Sequence, residues 1–317
     1  MSMGWVAAGT RGRGLLRRRL GSDGARRLAS SGSLSETVGV LAHTPYGHDV
    51  RPGMDLPTAQ HAVSATLLWH LRVLAGWGPP LSATYLRVLA GGFEIANVTM
   101  HLAGLAGSAS GRPPGFPDGP PYVLGALATA WPQVSPARTP ADVRHALAAS
   151  AWGDPEATDP ASVRLALQIA WARRVAEAVP DAAESATSYA ALVFARVLAA
   201  GALPALGPSV VRGVRLLLGP RCAAATSVGE LSRCLPRRTA RVLRDVGSVD
   251  DLWRAEARWR TLLEVDGSAA AGSAHPGVGS VVGVVKLLAV DAWRVRGALE
   301  FAARGGRQVA EVADVVA

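Results

Sequence analysis

One pattern recurs three times along this chain of 317 residues, and the recurrence limits the folds open to it. Val40-Leu41-Ala42-His43-Thr44-Pro45-Tyr46-Gly47 is echoed by Ala146-Leu147-Ala148-Ala149-Ser150-Ala151-Trp152-Gly153. A fainter echo is Val242-Leu243-Arg244-Asp245-Val246-Gly247. Each copy leads into an amphipathic segment bearing Trp69, Trp171 or Trp259, then into a second long apolar helix opening near Ser82, Ser185 or Gly279. A period of roughly a hundred residues exceeds the roughly 20–50 of a solenoid unit but suits a small helical domain with its own core. The repeat therefore predicts three similar helical domains, 1–112, 113–222 and 223–317, building a shaped scaffold. No copy carries catalytic chemistry.

Helix is expected throughout. Hydrophobic residues make up 49% of the chain, mostly Ala, Val and Leu, enough for sizeable cores and too many for disorder. Ser33-Leu34-Ser35-Glu36 is a capping-box pattern, and Thr139-Pro140 and Asp159-Pro160 place a cap before a proline at the first helical position. Asp55 and Pro57 open the Trp69 helix, with Gly76 as its stop, and Ser248 opens the next. There Leu252, Glu256, Trp259 and Leu263 share a face, with Glu256 and Arg260 spaced to pair. Val281 to Leu288 is β-branched, but it runs on without a breaker to Phe301 and reads as helix. Ser108 to Pro121, Gly219-Pro220 and Gly267 to Gly279 read as connections.

The formal net charge of +9 favours acidic partners, and its excess sits early, at Arg11, Arg13, Arg17, Arg18, Arg19, Arg26 and Arg27. No aromatic residue interleaves with these arginines to stack bases, so they read as a solvated helix face. Cys222 and Cys234 lack a C-x-x-C pattern and read as two reduced thiols of a cytoplasmic protein. No apolar stretch follows the first arginines as a secretory signal would require. Leu192 to Val211 is interrupted by Arg196, Pro204 and Pro208, and Tyr85 to Val98 by Arg87 and Glu94, so no transmembrane span is expected.

Candidate chemistry is thin. Gly9 to Gly14 and Gly277 to Gly283 are rich in glycine, but neither follows a strand as a nucleotide loop would. His43, His48 and Asp49 fall short of a zinc ligand set with its supporting shell, and a turn-capping role fits them better. Asp250-Asp251 lacks the second acidic cluster that a magnesium–diphosphate site needs, and reads as a helix cap. The tryptophans at repeat positions read as packing anchors. Glu94-Ile95-Ala96-Asn97-Val98 and Asp291-Ala292-Trp293-Arg294-Val295-Arg296 place polar groups in apolar helices, which costs stability unless they are paired. They either link domains or meet a partner.

With these segments in order, the chain resembles the central-stalk C subunit of the archaeal and bacterial V-type (A-type) ATPases, the relative of the eukaryotic d subunit. The likeness runs from Trp5-Val6-Ala7-Ala8 with Arg11 and Leu15-Leu16, through Leu41-Ala42-His43-Thr44-Pro45-Tyr46 and Glu94-Ile95-Ala96-Asn97-Val98. It ends in Pro276-Gly277-Val278, Leu287-Leu288-Ala289-Val290-Asp291 and Arg304-Gly305-Gly306. The closing acidic motif of the family keeps its first acid here, Asp291, and loses the second acid and the Asn. The resemblance implies an all-α, non-enzymatic, funnel-shaped part with three domains about a pseudo-threefold axis and no cofactor. Such a part receives the shaft subunits, sits on the membrane proteolipid ring at the cytoplasmic face, and has no transmembrane helix. Glu94, Asn97, Asp291 and Arg296 are then the residues expected near the funnel interior as partner contacts. The alternative is an Arg-rich helical nucleic-acid-binding regulator, which would need a recognition helix that the sequence does not display.

Overall fold

A computed structural model describes residues 3–107, 119–273, 275 and 277–305. The chain is all-helical, with no strand among the described residues. In order the helices are α1 (Met3–Arg17), α2 (Gly21–Ala29), α3 (Leu34–Ala42), α4 (Leu56–Trp77), α5 (Pro80–Leu89), α6 (Gly91–Leu105), α7 (Trp131–Val134) and α8 (Pro140–Ala148). There follow α9 (Pro160–Ala178), α10 (Ala183–Ala199), α11 (Pro208–Leu218), α12 (Pro220–Ala223), α13 (Val228–Cys234), α14 (Arg237–Val242), α15 (Leu252–Ala271) and α16 (Val278–Ala303). Much of the expected linker at 108–121, together with Pro276 and Gly306, lies outside the described residues.

Two compact units emerge. One takes in Met1–Leu86, Phe116–Val123 and Leu263–Ala317, the other Arg87–Gly115 and Leu124–Leu262, each counted over its described residues. In the first, α16 packs against α2, α3 and α4 around Leu28, Val38, Leu41, Val63, Val295 and Leu299. α16 is apolar on nearly every side, so it is buried along most of its length. In the second unit, one cluster joins α6, α7, α8 and α9 through Val98, Leu102, Val143, Leu147 and Leu167. Another gathers α10, α11, α13 and the start of α15 around Phe194, Val214, Leu231, Leu243 and Ala255.

These groupings follow other limits than residues 112 and 222. The second long helix of the first sequence copy, α6, packs with the short helices of the middle copy. The last copy's α16 packs with those of the first. These two long helices thus pack across the limits of the sequence copies, because a long apolar helix buries its surface wherever a complementary face exists.

Local signals hold well. Asp55 accepts from Thr58 N–H at 3.0 Å, Thr139 and Asp142 form a reciprocal capping box, and Asp159 accepts from Ser162 N–H at 2.8 Å. Val281 to Phe301 is helical. Four expectations need correction. Cys222 and Cys234 are joined in a disulfide, not two reduced thiols, because the α12–α13 turn brings their Cα atoms to 5.5 Å. Gly76 lies within α4, which runs to Trp77 and is closed by Gly78. Glu256 pairs with Arg196 on α10 while Arg260 lies over the Trp259 ring. Gly267 sits inside α15 rather than in a loop, at a close crossing with α16.

That crossing depends on two glycines. A Cβ on Gly283 would lie 2.6 Å from Ala271 N and 2.8 Å from Gly267 O, and one on Gly267 would lie 3.1 Å from Gly283 O. The bare backbones let α15 and α16 approach closely, which also brings Arg294 to Glu264 in a two-point pair at 2.7 Å on each arm.

Candidate functional site

The sequence repeat is written into the hydrogen bonds. Thr44 Oγ1 donates to Leu41 O at 2.7 Å and accepts from Tyr46 N–H at 3.2 Å. Ser150 Oγ donates to Leu147 O at 2.7 Å and accepts from Trp152 N–H at 3.1 Å. The two turns are the same device, a hydroxyl that ends one helix and aims an aromatic ring inward. The third copy has Asp245, in a left-handed conformation (φ 57°), near this place instead. The repeated tryptophans agree in the second unit: Trp171 donates to Val88 O at 2.7 Å and Trp259 to Ser185 O at 3.0 Å. Tyr189 lies between these rings at 5.2 and 5.3 Å, and burial pushes its phenol up to about 12.

Two carboxylates on long buried helices also correspond. Glu94, on α6 and fully buried, accepts from the N–H groups of Thr129, Ala130 and Trp131 at 2.8, 2.5 and 2.5 Å. Asp291, on α16 and 3% exposed, accepts from Leu20 and Gly21 N–H at 3.3 and 2.6 Å and from the Tyr46 hydroxyl at 2.8 Å. Each fills the free donors where a short helix begins, α7 in one case and α2 in the other. Burial, together with the Asp291 charge, drives the Tyr46 phenol well above its ordinary value. Asn97 lies one turn beyond Glu94 and is buried, whereas Arg296 is half-buried and its Nε has no hydrogen-bond partner. The structure thus places Glu94 and Asn97 in one unit and Asp291 and Arg296 in the other.

A cavity of about 380 Å³ opens beside Asp291 within the first unit. Besides Leu288 and Asp291 of α16, three places supply its walls. α1 buries Ala8, Gly12 and Leu15 at helical spacing, with Gly12 so close to α16 that a Cβ would lie 2.8 Å from Val284. The adjoining face of that helix, which Leu15 shares, and the turn after it present Arg11, Arg18 and Arg19 to the cavity. The Thr44–His48 turn supplies Tyr46 and His48, and α4 supplies Trp69 and His70. The His48 and Trp69 rings stack at 4.2 Å, while His48 Nδ1 lies 2.8 Å from Asp49, whose carboxylate also accepts from Thr66 at 2.9 Å. His70 is lowered to about 4 by burial, then by the charges of His48 and Arg18, with Asp49 opposing. Its ring is therefore neutral at ordinary pH.

Sequence reading singled out Asp291 here and missed the rest. The arginines read as a solvated face, although Arg11 and Arg18 lie two turns apart on one helical face, which is a legible signal. Among the described residues no three His, Cys, Asp or Glu side chains converge as metal ligands. His48 and Asp49 are neighbours, and His43 stands exposed. No single described helix is long and apolar enough to cross a membrane, though α5 and α6, bent by 45°, reach that length and composition as a pair. No family model matches the chain, and no curated protein sequence matches it.

Proposed function

We propose that this chain is a non-catalytic central-stalk subunit of a rotary V- or A-type ATPase. In this reading three similar helical domains form a pseudo-threefold funnel. The funnel couples the shaft subunits to the membrane proteolipid ring during ATP-linked proton or sodium transport, at the cytoplasmic face of the membrane. The observation that carries the reading is the matched pair of carboxylate clamps. Glu94 and Asp291 stand in two of the segments that carry the resemblance, and both perform the same internal task. A torque coupling needs stiffness more than it needs a nucleophile. Clamps of two or three charge-assisted bonds, placed where chain segments distant in sequence meet, supply stiffness.

Partner contacts then fall to residues beside the clamps. Arg296, half-buried where Glu94, Asn97 and Asp291 are enclosed, is the best placed of the four to take an acidic group from a shaft or ring subunit. The experiment is affinity purification of the tagged full chain from solubilised membranes of its native host. Recovery of rotor and proteolipid subunits at low salt, lost at high salt, is the expected result. Recovery without any ATPase subunit, or salt-dependent retention of DNA in its place, overturns the reading.

A further inference from the structure

We propose that the cavity bounded by Arg11, Arg18, Arg19, Tyr46, His48 and Trp69 is a binding site for a phosphate group, carried by a small organic phosphate or an anionic lipid headgroup. The inference stands on this cavity and is independent of the coupling role.

Charge is the first argument. Many arginines of this chain are matched to acids: Arg144 to Asp154, Arg173 to Glu177, Arg212 to Glu156, Arg238 to Glu184 and Arg294 to Glu264. Among the described residues, none of the three arginines lining the cavity forms such a pair. The one carboxylate on its wall, Asp291, is already spent on two backbone N–H groups and the Tyr46 hydroxyl. Glu264 feels Arg19 but is held by both arms of Arg294. Asp49, beside the cavity, is taken up by His48 and Thr66. Like charges gathered around one space repel one another, and an anion entering it relieves that repulsion.

Shape and stoichiometry select the anion. Three planar guanidinium groups present more donors than a carboxylate's two oxygens can accept. A phosphate offers three oxygens and up to two charges, the geometry that arginine forks match best. The stacked His48 and Trp69 rings add a flat wall beside the cations, against which the remainder of a phosphate ester can lie. The volume is at the small end of ligand cavities, which suits a phosphate with a short appendage.

The test is calorimetric titration of the full chain with inorganic pyrophosphate, alongside co-sedimentation with phosphatidylcholine vesicles with and without phosphatidylglycerol. Arg18→Gln is compared with Arg13→Gln, which removes the same charge from the same region but does not line the cavity. Saturable binding weakened roughly tenfold or more by Arg18→Gln, and within about twofold of the parent in Arg13→Gln, is expected. Added pyrophosphate also shifts the His70 ring resonances. Pyrophosphate binding without co-sedimentation assigns the site to soluble phosphates. Co-sedimentation that needs phosphatidylglycerol and Arg18, and is competed by pyrophosphate, assigns it to headgroups. Absence of saturable binding by both probes, or equal loss in the two variants, overturns the proposal.

Discussion

The Tyr46 hydroxyl donates to Asp291 Oδ2 at 2.8 Å across 245 residues of sequence, tying the first repeat's turn to the last long helix. The other oxygen of that carboxylate accepts from Gly21 N–H at 2.6 Å, so one side chain fixes α2, the turn and α16 together. Asp291→Ala strands these donors in a buried place and is expected to destabilise the fold by about 3 kcal/mol or more, while Tyr46→Phe costs about 1–2 kcal/mol. Urea denaturation of both variants checks the order. Equal effects would mean that the phenol, not the backbone cap, dominates the clamp.

Glu94 makes the corresponding clamp with three N–H groups and no hydroxyl. Glu94→Ala is expected to cost about 3 kcal/mol or more. Glu94→Gln keeps one acceptor oxygen but turns an NH2 group toward donors, and restores less than half of that loss. Thermal unfolding followed by circular dichroism measures both.

His70 sets a pH dependence of stability. Its folded value of about 4 lies below the ordinary 6.5, so the unfolded chain takes up this proton first as pH falls. The neutral ring's full contribution is present above 6.5, declines as pH falls toward 4, and amounts to roughly 3 kcal/mol across that window. His70→Gln, which does not titrate, should flatten the slope between pH 7 and pH 5 by roughly 2 kcal/mol. A slope unchanged by the substitution would place the titrating group elsewhere.

The α15–α16 crossing predicts a contrast between glycines. Gly283→Ala puts a methyl group 2.6 Å from Ala271 N, and overpacking of this kind costs about 1–3 kcal/mol. Gly39→Ala, in the interior of α3 with open space around its Cβ, should stabilise by about 0.5–1 kcal/mol. Melting temperatures of the two variants should therefore move in opposite directions.

The Cys222–Cys234 disulfide closes a span of 12 residues between α12 and α13. Thiol titration of the denatured chain without reductant should find no free thiol. Reduction, or Cys234→Ser, should cost about 3 kcal/mol by loop-closure entropy. Two titratable thiols in the untreated protein would restore the reduced pair that the spacing of these cysteines led us to expect.

Much of this was legible in the residues. Ser33, Asp55, Thr139, Asp159 and Ser248 mark helix starts because capping is a local affair of three or four residues. Even here one detail moved, since Glu36 accepts from Gly32 N–H at 3.0 Å rather than from Ser33. The kinship of Thr44 with Ser150 was also visible, and their hydrogen bonds match. The cavity was not legible in the same way. Arg11, Arg18, His48, Trp69 and Asp291 come from four segments, and nothing in their own neighbourhoods says that they face one space.

By itself, then, the order of residues determined that this protein is helical, where its helices begin, and that one local pattern recurs along it. Those are consequences of periodicity and capping, which act over a turn or two. Tertiary structure alone decided that α6 and α16 pack with other repeats, that Glu94 and Asp291 serve as clamps, and that three arginines ring a cavity. The reason is physical: burial of long apolar helices is non-directional, so the partner of each face is chosen by shape and by which donors are left to satisfy.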